Sequence, residues 1–590
     1  MAVISSRRPY SPSIIKRPAD CYKTSMARHA GRQAHRGAPP PQPAARAEHI
    51  FPVLTPEQMA RVEAQGRARR VRPGEVLASP GERGAPFFLV VEGAVEIVRR
   101  AGGGEQLLAV LHRGQFTGEM SMIAGQRQFA EIRAGEPGEV VEVEHARLLE
   151  LVQADAELGE ILMRAFILRR VELIARGVGD IVLLGSDHSS DTLRLKEFLT
   201  RNGHPYAYLD LERDAGAQAM LDRFQVRVDE VPVTICCDGT VLKNPTNGAL
   251  ASRLGFNEAV DQRQLRDVVV VGAGPAGLAA AVYAASEGLD VLLVETTAPG
   301  GQAGSSSKIE NYLGFPTGVS GQQLAGRAYA QAVKFGAQMI VAKSAARLDC
   351  GRKPYRVAID DGTELAARTI VIATGAQYRR LALDSAERFQ GCGVYYGATA
   401  MEAQLCADEE IVVVGGGNSA GQAAVFLART VKRVHMVVRS GSLSETMSRY
   451  LIRRIEDEPR IELRTFTELS ALEGADRLER LSWRNKNTGE VETRGIRHVF
   501  VMTGAEPNTR WLGGCVALDR AGFIKTGPDL TPDDLAAARW PAARPPRLLE
   551  TSLPGVFAVG DVRAGNVKRV ASAVGEGSIA VAFVHQALRE

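Results

Sequence analysis

Two glycine-rich turns, GAGPAG at Gly272 to Gly277 and GGGNSA at Gly415 to Ala420, each follow a run of valines in this chain of 590 residues. Val268 to Val271 suits a buried parallel strand, and the glycines after it permit a tight turn and close approach of backbone to a diphosphate. Leu278 to Ala285 reads as a helix whose N-terminus faces that phosphate. A second apolar run, Val291 to Val294, then delivers Glu295, whose carboxylate can accept from a ribose hydroxyl. Strand, turn, helix, strand and acid together define a dinucleotide site at Gly272, Gly274, Gly277 and Glu295. Residues 268–285 are apolar enough to be mistaken for a membrane span, but three glycines and Pro275 inside the run argue against one.

The second turn repeats the pattern. Ile411 to Val414 is the strand, Gly415, Gly416 and Gly417 form the turn with Ser419 after it, and Ala420 stands where a third glycine is usual. The next strand, Val434 to Val438, ends in Arg439. An arginine cannot accept from a 2′-hydroxyl but can hold a 2′-phosphate, so this site is expected to take NADPH in preference to NADH; a merely solvated arginine is the alternative. Two such sites in one chain indicate FAD with a nicotinamide nucleotide. Near the C-terminus, Ser552 to Asp561 reads as a strand presenting Gly560 and Asp561 at a turn, followed by a helix over Val570 to Leu588.

From about Asp267 to Glu590 the chain resembles the thioredoxin reductase group of two-domain flavoproteins. The resemblance rests on GAGPAG, Gly300-Gly301-Gln302, IENYLGFP (Ile309 to Pro316), ATGA (Ala373 to Ala376), GGGNSA and the Gly560-Asp561 turn. It implies an FAD domain from 266–385 and 503–590, an inserted NADPH domain at 386–502, a homodimer, and a flavin site that also includes Gly301, Gln302, Asn311, Thr374, Gly375, Gly560 and Asp561. The departures are as informative. Aligned on the family's redox dithiol, the segment Gly391 to Ala400 places Gly397 and Ala400 at the two cysteine positions. Only a thiolate attacks a disulfide sulfur, so that relay is missing, and no catalytic residue is assigned. Cys392 and Cys406 lie nearby but read as unreactive buried thiols. Ser440 stands where the family has a second arginine, and Val570 where it has a glutamine.

Upstream, residues 179–256 alternate strand and helix: Ile181 to Leu184, Thr192 to Arg201, Tyr206 to Leu209 and Val233 to Cys236, with Val231-Pro232 before the last strand as a candidate cis bond. LKEFL, NGHPYAYLDLE and VPVTICCDGTVL resemble a glutaredoxin- or thioredoxin-like domain, whose Cys-x-x-Cys would fall at Ser189 to Thr192. That module has lost its thiols too, which points to docking or spacing; Cys236 and Cys237 suit opposite faces of a strand better than a disulfide.

Residues 50–177 show short glycine-punctuated strands closed by helices at Thr55 to Gln65 and Leu158 to Arg176, a β-rich roll. They resemble the cyclic nucleotide-binding domain of bacterial regulators and channels. Phe116 to Glu131 would then be the phosphate cassette, with Gly118 and Glu119 on the nucleotide and Arg127, one residue off the expected position, on its phosphate. A working sensor and a degenerate assembly domain both fit, because a phosphate without a cationic partner binds weakly.

The fold class is therefore multidomain: β-roll, thioredoxin-like α/β module, and two Rossmann-like domains. Net charge is +4 with acids and bases nearly balanced, which excludes a dominant role on nucleic acid. Residues 1–49, rich in arginine, proline and alanine, read as disordered and lack the apolar stretch of a secretory signal; an arginine-rich mitochondrial address is the alternative to a loose tail. Seven cysteines without framework spacing suit a reducing cytoplasm, and ten scattered histidines suggest no metal site. The proline-rich stretch Thr526 to Leu549 is longer than its connection requires; a solvated loop or a cover near the flavin would account for it.

The expected function is hydride transfer from NADPH to FAD and on to an external acceptor, protein or small molecule, with a cyclic nucleotide as a possible regulator and no membrane role. Two alternatives stay open. One is a thioredoxin-disulfide reductase using partner or displaced cysteines, and the other a non-catalytic flavoprotein sensor.

Overall fold

The computed structural model describes residues 48–590 apart from 102–103, 177–178, 180, 188, 215–216, 218–220, 223–225, 228–229, 237–238, 258–259, 262, 307, 399 and 476. Most of the N-terminal segment, together with Cys237, lies outside the described residues. The chain divides into two compact units, one built chiefly from residues before Arg170 and one chiefly from those after Arg169.

The first unit is a β-roll of two antiparallel sheets. One runs in the order Arg67–Val71, Gly138–Val143, Phe87–Glu92, the other Val76–Ala78, Glu131–Ala134, Ala94–Ala101, Gly104–His112. The helix Pro56–Glu63 begins at Thr55, whose hydroxyl accepts from the Gln58 amide while the Gln58 side chain caps Thr55 in return. The roll closes on the rings of Phe87, Phe116 and Phe166, 5.6–6.5 Å apart. Phe166 belongs to the helix Ala156–Ala175.

Three further sheets matter for function. A four-stranded sheet runs Val241–Lys243, Val233–Cys236, Ile181–Gly185, Tyr206–Asp210, with helix Ser190–Arg201 joining its two parallel strands. The Val231-Pro232 bond is cis, as the sequence pattern allows. The largest sheet runs Gln338–Val341, Val291–Glu295, Arg266–Val271, Glu364–Ile372, Tyr355–Ile359, Ala345–Asp349, and Val556–Ala558 joins it on Glu364–Ile372. Strands buried on both faces read as continuous apolar runs, which is why Val268 to Val271 and Val291 to Val294 are so uniform. The third sheet is wholly parallel, in the order Val394–Tyr395, Val499–Val501, Glu410–Val414, Arg433–Val437, Ile461–Arg464. The chain enters and leaves it through two crossing segments, Ala376–Tyr378 and Ala505–Pro507, paired antiparallel. Helix Val570–Leu588 packs on Pro275–Ser286, with Gly577 allowing the close approach; a methyl there would meet the Ala276 carbonyl at 2.2 Å.

Two cysteines that lack any framework spacing are joined, Cys350 to Cys515. The stretch Thr526 to Leu549 is not a bare loop. It carries the helix Pro532–Ala537, capped by Thr531 and Asp534, and Arg544 and Arg547 tie it to the Glu590 side chain at 2.8 and 2.6 Å. Among the described residues, no helix is long and apolar enough to cross a membrane.

Candidate functional site

The first glycine turn sits where the large sheet reverses its strand order, at the carboxyl end of Arg266–Val271. Gly272 adopts φ 104°, and a methyl there would lie 2.3 Å from the Ala373 carbonyl. One on Gly277 would lie 1.9 Å from the Gly272 carbonyl. Gly274 heads the helix Pro275–Ser286, which has proline in its first turn and no side-chain cap, so its first amides are left for a ligand. Above Gly274 the nearest neighbour is the Gly301 Cα, 3.9 Å from an added methyl, and nothing lies within 4 Å of one on Gly375. Uncapped amides beside open space fit the diphosphate of a dinucleotide.

Glu295 is buried, and its carboxylate closes this turn, accepting from the amides of Ala273 (2.8 Å), Thr297 (2.9 Å) and Ala298 (3.3 Å). The Gly300 amide donates to the Ala273 carbonyl at 2.7 Å, which lays Gly301 against Gly274. The Gln302 side-chain amide donates to the Ala376 carbonyl. The Thr374 hydroxyl donates to the Asn508 carbonyl and the Asn508 amide group returns a bond to Thr374, both at 2.9 Å, so Thr374 locks the two crossing segments together. Asn311 is exposed, next to Glu310, which pairs with Arg454. At the C-terminal turn the Gly560 amide donates to Glu576 at 2.7 Å. Burial pushes the Asp561 carboxyl above its ordinary range, with Lys568 opposing.

In the second turn Gly415 has φ 139°, and a methyl there would meet the Met502 carbonyl at 2.4 Å. The helix Asn418–Leu427 also starts without a side-chain cap. Ala420 is buried and packs beneath Gly415, which explains why alanine serves in place of a third glycine. Arg439 is exposed just beyond the strand end. The Ser440 hydroxyl donates to the Ser442 carbonyl at 2.9 Å.

The structure brings Gln302, Gly397 and Ser419 together around one cavity of about 300 Å³, which Gln377, Tyr378 and Tyr396 also line. Nothing lies within 4 Å of a methyl built on Gly397. Burial holds the Tyr378 phenol above its ordinary range, against a hydrogen bond with Ser419. Of the nearby thiols, Cys406 is fully buried on the Glu402 carbonyl and pushed up to about 12 by burial, so it holds no thiolate at neutral pH; Cys392 is half-buried.

In the first unit, Gly118 takes φ 105° and Glu119, buried, precedes the short helix Met120–Ile123. Arg127 is half-buried. The sequence pattern gives no hint of Arg169. It sits on Ala156–Ala175, almost wholly buried, over the rings of Phe51 and Phe116 at 4.9 and 4.8 Å, and donates to the Gly118 carbonyl at 2.8 Å. Burial lowers it to about 9, with Glu119 opposing.

Two uncapped glycine turns at the ends of parallel strands, with Gln302 and Ser419 lining one cavity between them, suit an oxidoreductase working between a flavin and a nicotinamide nucleotide. Residues 266–577 match the model of the pyridine nucleotide-disulphide oxidoreductases, and residues 68–155 that of the cyclic nucleotide-binding domain. Thioredoxin reductase of Ureaplasma parvum is 31% identical over 327 residues, 55% of this chain and 97% of that protein. The enzyme of Mycolicibacterium smegmatis is 32% identical over 317 residues, 54% of this chain and 94% of its own. The crystal structure of Lactococcus lactis thioredoxin reductase in its FR conformation is 28% identical, with a TM-score of 0.49, covering 55% of this chain and 99% of that one. The chain belongs to the pyridine nucleotide-disulphide oxidoreductase family. It is a thioredoxin reductase-like enzyme with FAD and NADPH as cofactors, fused to a cyclic nucleotide-binding domain.

Proposed function

We propose that this enzyme passes electrons from NADPH through FAD to an external acceptor that enters the cavity lined by Gly397. In this reading FAD is held by Gly272, Gly274, Gly277, Glu295, Gly301, Gln302, Asn311, Thr374, Gly375, Gly560 and Asp561, within a domain of residues 266–385 and 503–590. NADPH is held by Gly415, Gly417, Ser419 and Arg439 within residues 386–502. Bound FAD and NADPH supply the hydride chemistry; the chain orients them and shuts out water. The observation that carries the reading is the cavity. It joins residues of both dinucleotide sites to the position of the missing dithiol, where glycine leaves open space and no thiol.

Residues 179–256 are read as a thioredoxin-like module. Its strand order supports this, and Ser189 at the expected dithiol position caps its helix, accepting from the Thr192 amide. The β-roll, residues 50–177, is read as binding a cyclic nucleotide through Gly118, Glu119 and Arg127. A cytoplasmic homodimer is the expected form. Titration with cyclic AMP or cyclic GMP that alters NADPH turnover would support regulation, and no binding at millimolar ligand would refute it.

Anaerobic titration with NADPH, following flavin absorbance, tests the electron path. One equivalent to full bleaching supports direct exit. Two equivalents place a disulfide in the circuit, and repeating the titration on Cys350→Ser/Cys515→Ser shows whether it is the observed bridge. A disulfide reductase working through Cys406 is disfavoured by the high pKa of that buried thiol.

A further inference from the structure

The helix Ser190–Arg201 ends on the loop that carries Gly300 and Gly301. Three side chains make the joint. The Arg201 guanidinium Nη2 donates to the Gly301 carbonyl at 2.8 Å, the Asn202 Nδ2 to the Thr297 carbonyl at 3.0 Å, and the Gln322 Nε2 to the Thr200 carbonyl at 3.0 Å. Arg201 is 16% exposed and its Nε is buried with no hydrogen-bond partner. A buried guanidinium spends desolvation energy, so it persists where its bonds fix something in place.

What it fixes is the wall of the first glycine turn. A methyl on Gly301 would come within 3.0 Å of the Gly274 Cα, and Gly301 holds φ 52°, so its carbonyl direction and its contact with the turn are coupled. The other arm of the guanidinium, Nη1, pairs with Glu197 one turn back in the same helix at 3.1 Å, which holds the side chain in place at the helix end. Nothing in the thiol chemistry of a thioredoxin-like module calls for such a residue at the far end of its helix.

We propose that Arg201 is a positioning residue for FAD: the fused module clamps the Gly300-Gly301 loop onto the diphosphate turn, and its retained use is cofactor retention. The proposal rests on assigning the first glycine turn to FAD. Full-length protein is stripped of flavin and titrated with FAD, following quenching of flavin fluorescence, with apo-protein thermal melting as a check on folding. Losing a charge-assisted bond at this joint is expected to raise the FAD dissociation constant about tenfold in Arg201→Ala. Arg201→Lys, which keeps the charge, recovers part of the loss. Arg194→Ala serves as control, because Arg194 bonds only inside the module, to Asn247 at 2.8 Å and the Pro245 carbonyl at 3.0 Å, and should leave FAD affinity unchanged. Equal affinity in Arg201→Ala and the unaltered protein overturns the clamp, as does an equal loss in Arg194→Ala. If Arg201→Ala does not fold, Asn202→Ala reads the same joint and should weaken FAD in the same direction. Failure of the unaltered protein to bind FAD overturns the assignment of the turn instead.

Discussion

Removing the Cys350–Cys515 bridge should cost the flavin half of the enzyme several kcal/mol. Cys350 follows the strand Ala345–Asp349, before the chain departs through the second nucleotide sheet, and Cys515 follows the short helix Arg510–Leu512 after its return. Their neighbours Leu348, Leu512 and Val516 share one core cluster, so the bridge joins two parts of a single packed layer. The cysteines are separated by 165 positions. Chain-entropy reasoning for a loop of that length gives about 5 kcal/mol as a ceiling, and bridges in practice deliver about 2–4 kcal/mol. For a body of this size each kcal/mol moves the melting temperature by about 2–4 °C, so a loss of about 5–15 °C is expected. The assay is thermal release of flavin fluorescence in the unaltered protein and in Cys350→Ser/Cys515→Ser, each with and without a phosphine reductant. Reductant should lower the first melt to the level of the second and leave the second alone. A reductant effect of equal size in both proteins, or none in either, would refute the reasoning.

Gly277→Ala places a methyl on the Gly272 carbonyl at 1.9 Å, so the variant should purify largely without flavin, measured by the ratio of flavin to protein absorbance; full loading would count against the turn as the FAD site. Arg439→Ala should lose about tenfold or more in kcat/KM for NADPH while NADH use changes little, because the 2′-phosphate loses its charged partner. An equal fall with both nucleotides would show that the residue does not read that phosphate. Asp561 has its folded pKa raised by burial, so the cost of ionising it grows as pH rises above about 3.8 and is complete above the folded value. Asp561→Asn should therefore melt higher than the unaltered apo-protein by a margin that widens from acid to neutral pH, while binding FAD more weakly. A margin independent of pH would remove burial of the charge as its cause.

Much of the enzyme is legible in its sequence because the dinucleotide turns obey local rules. The valine runs, the positive φ at Gly272 and Gly415 and the uncapped helix starts all follow from residues within about twenty positions of each other. Helix ends came within a few residues; Leu278 to Ala285 is the interior of Pro275–Ser286. What the sequence hides is long-range. Arg169 is one arginine among several on its helix until the fold buries it against Gly118. Cys350 and Cys515 have no spacing signature because their pairing depends on how an inserted domain returns the chain. Glu295 is recognisable as the acid of a fingerprint, but its three bonds to backbone amides, which shape the turn, appear only in three dimensions.

The helix Ser190–Arg201 meets other parts of the chain at both ends, which suggests a mechanical use for the module that carries it. At the C-terminal end Arg201 and Asn202 bond the loop of the flavin sheet; at the N-terminal end a methyl on Gly391, in the segment leading into the nicotinamide sheet, would lie 2.7 Å from the Ser190 Cβ. The helix of 12 residues, about 18 Å long, thus runs from the segment before one dinucleotide sheet to the loop against the other. Gly391→Ala presses on the N-terminal end alone and should speed amide exchange from Ser190 to Leu195 while Phe198 to Arg201 keeps its protection. Equal protection at both ends would mean that the helix is not braced against Gly391.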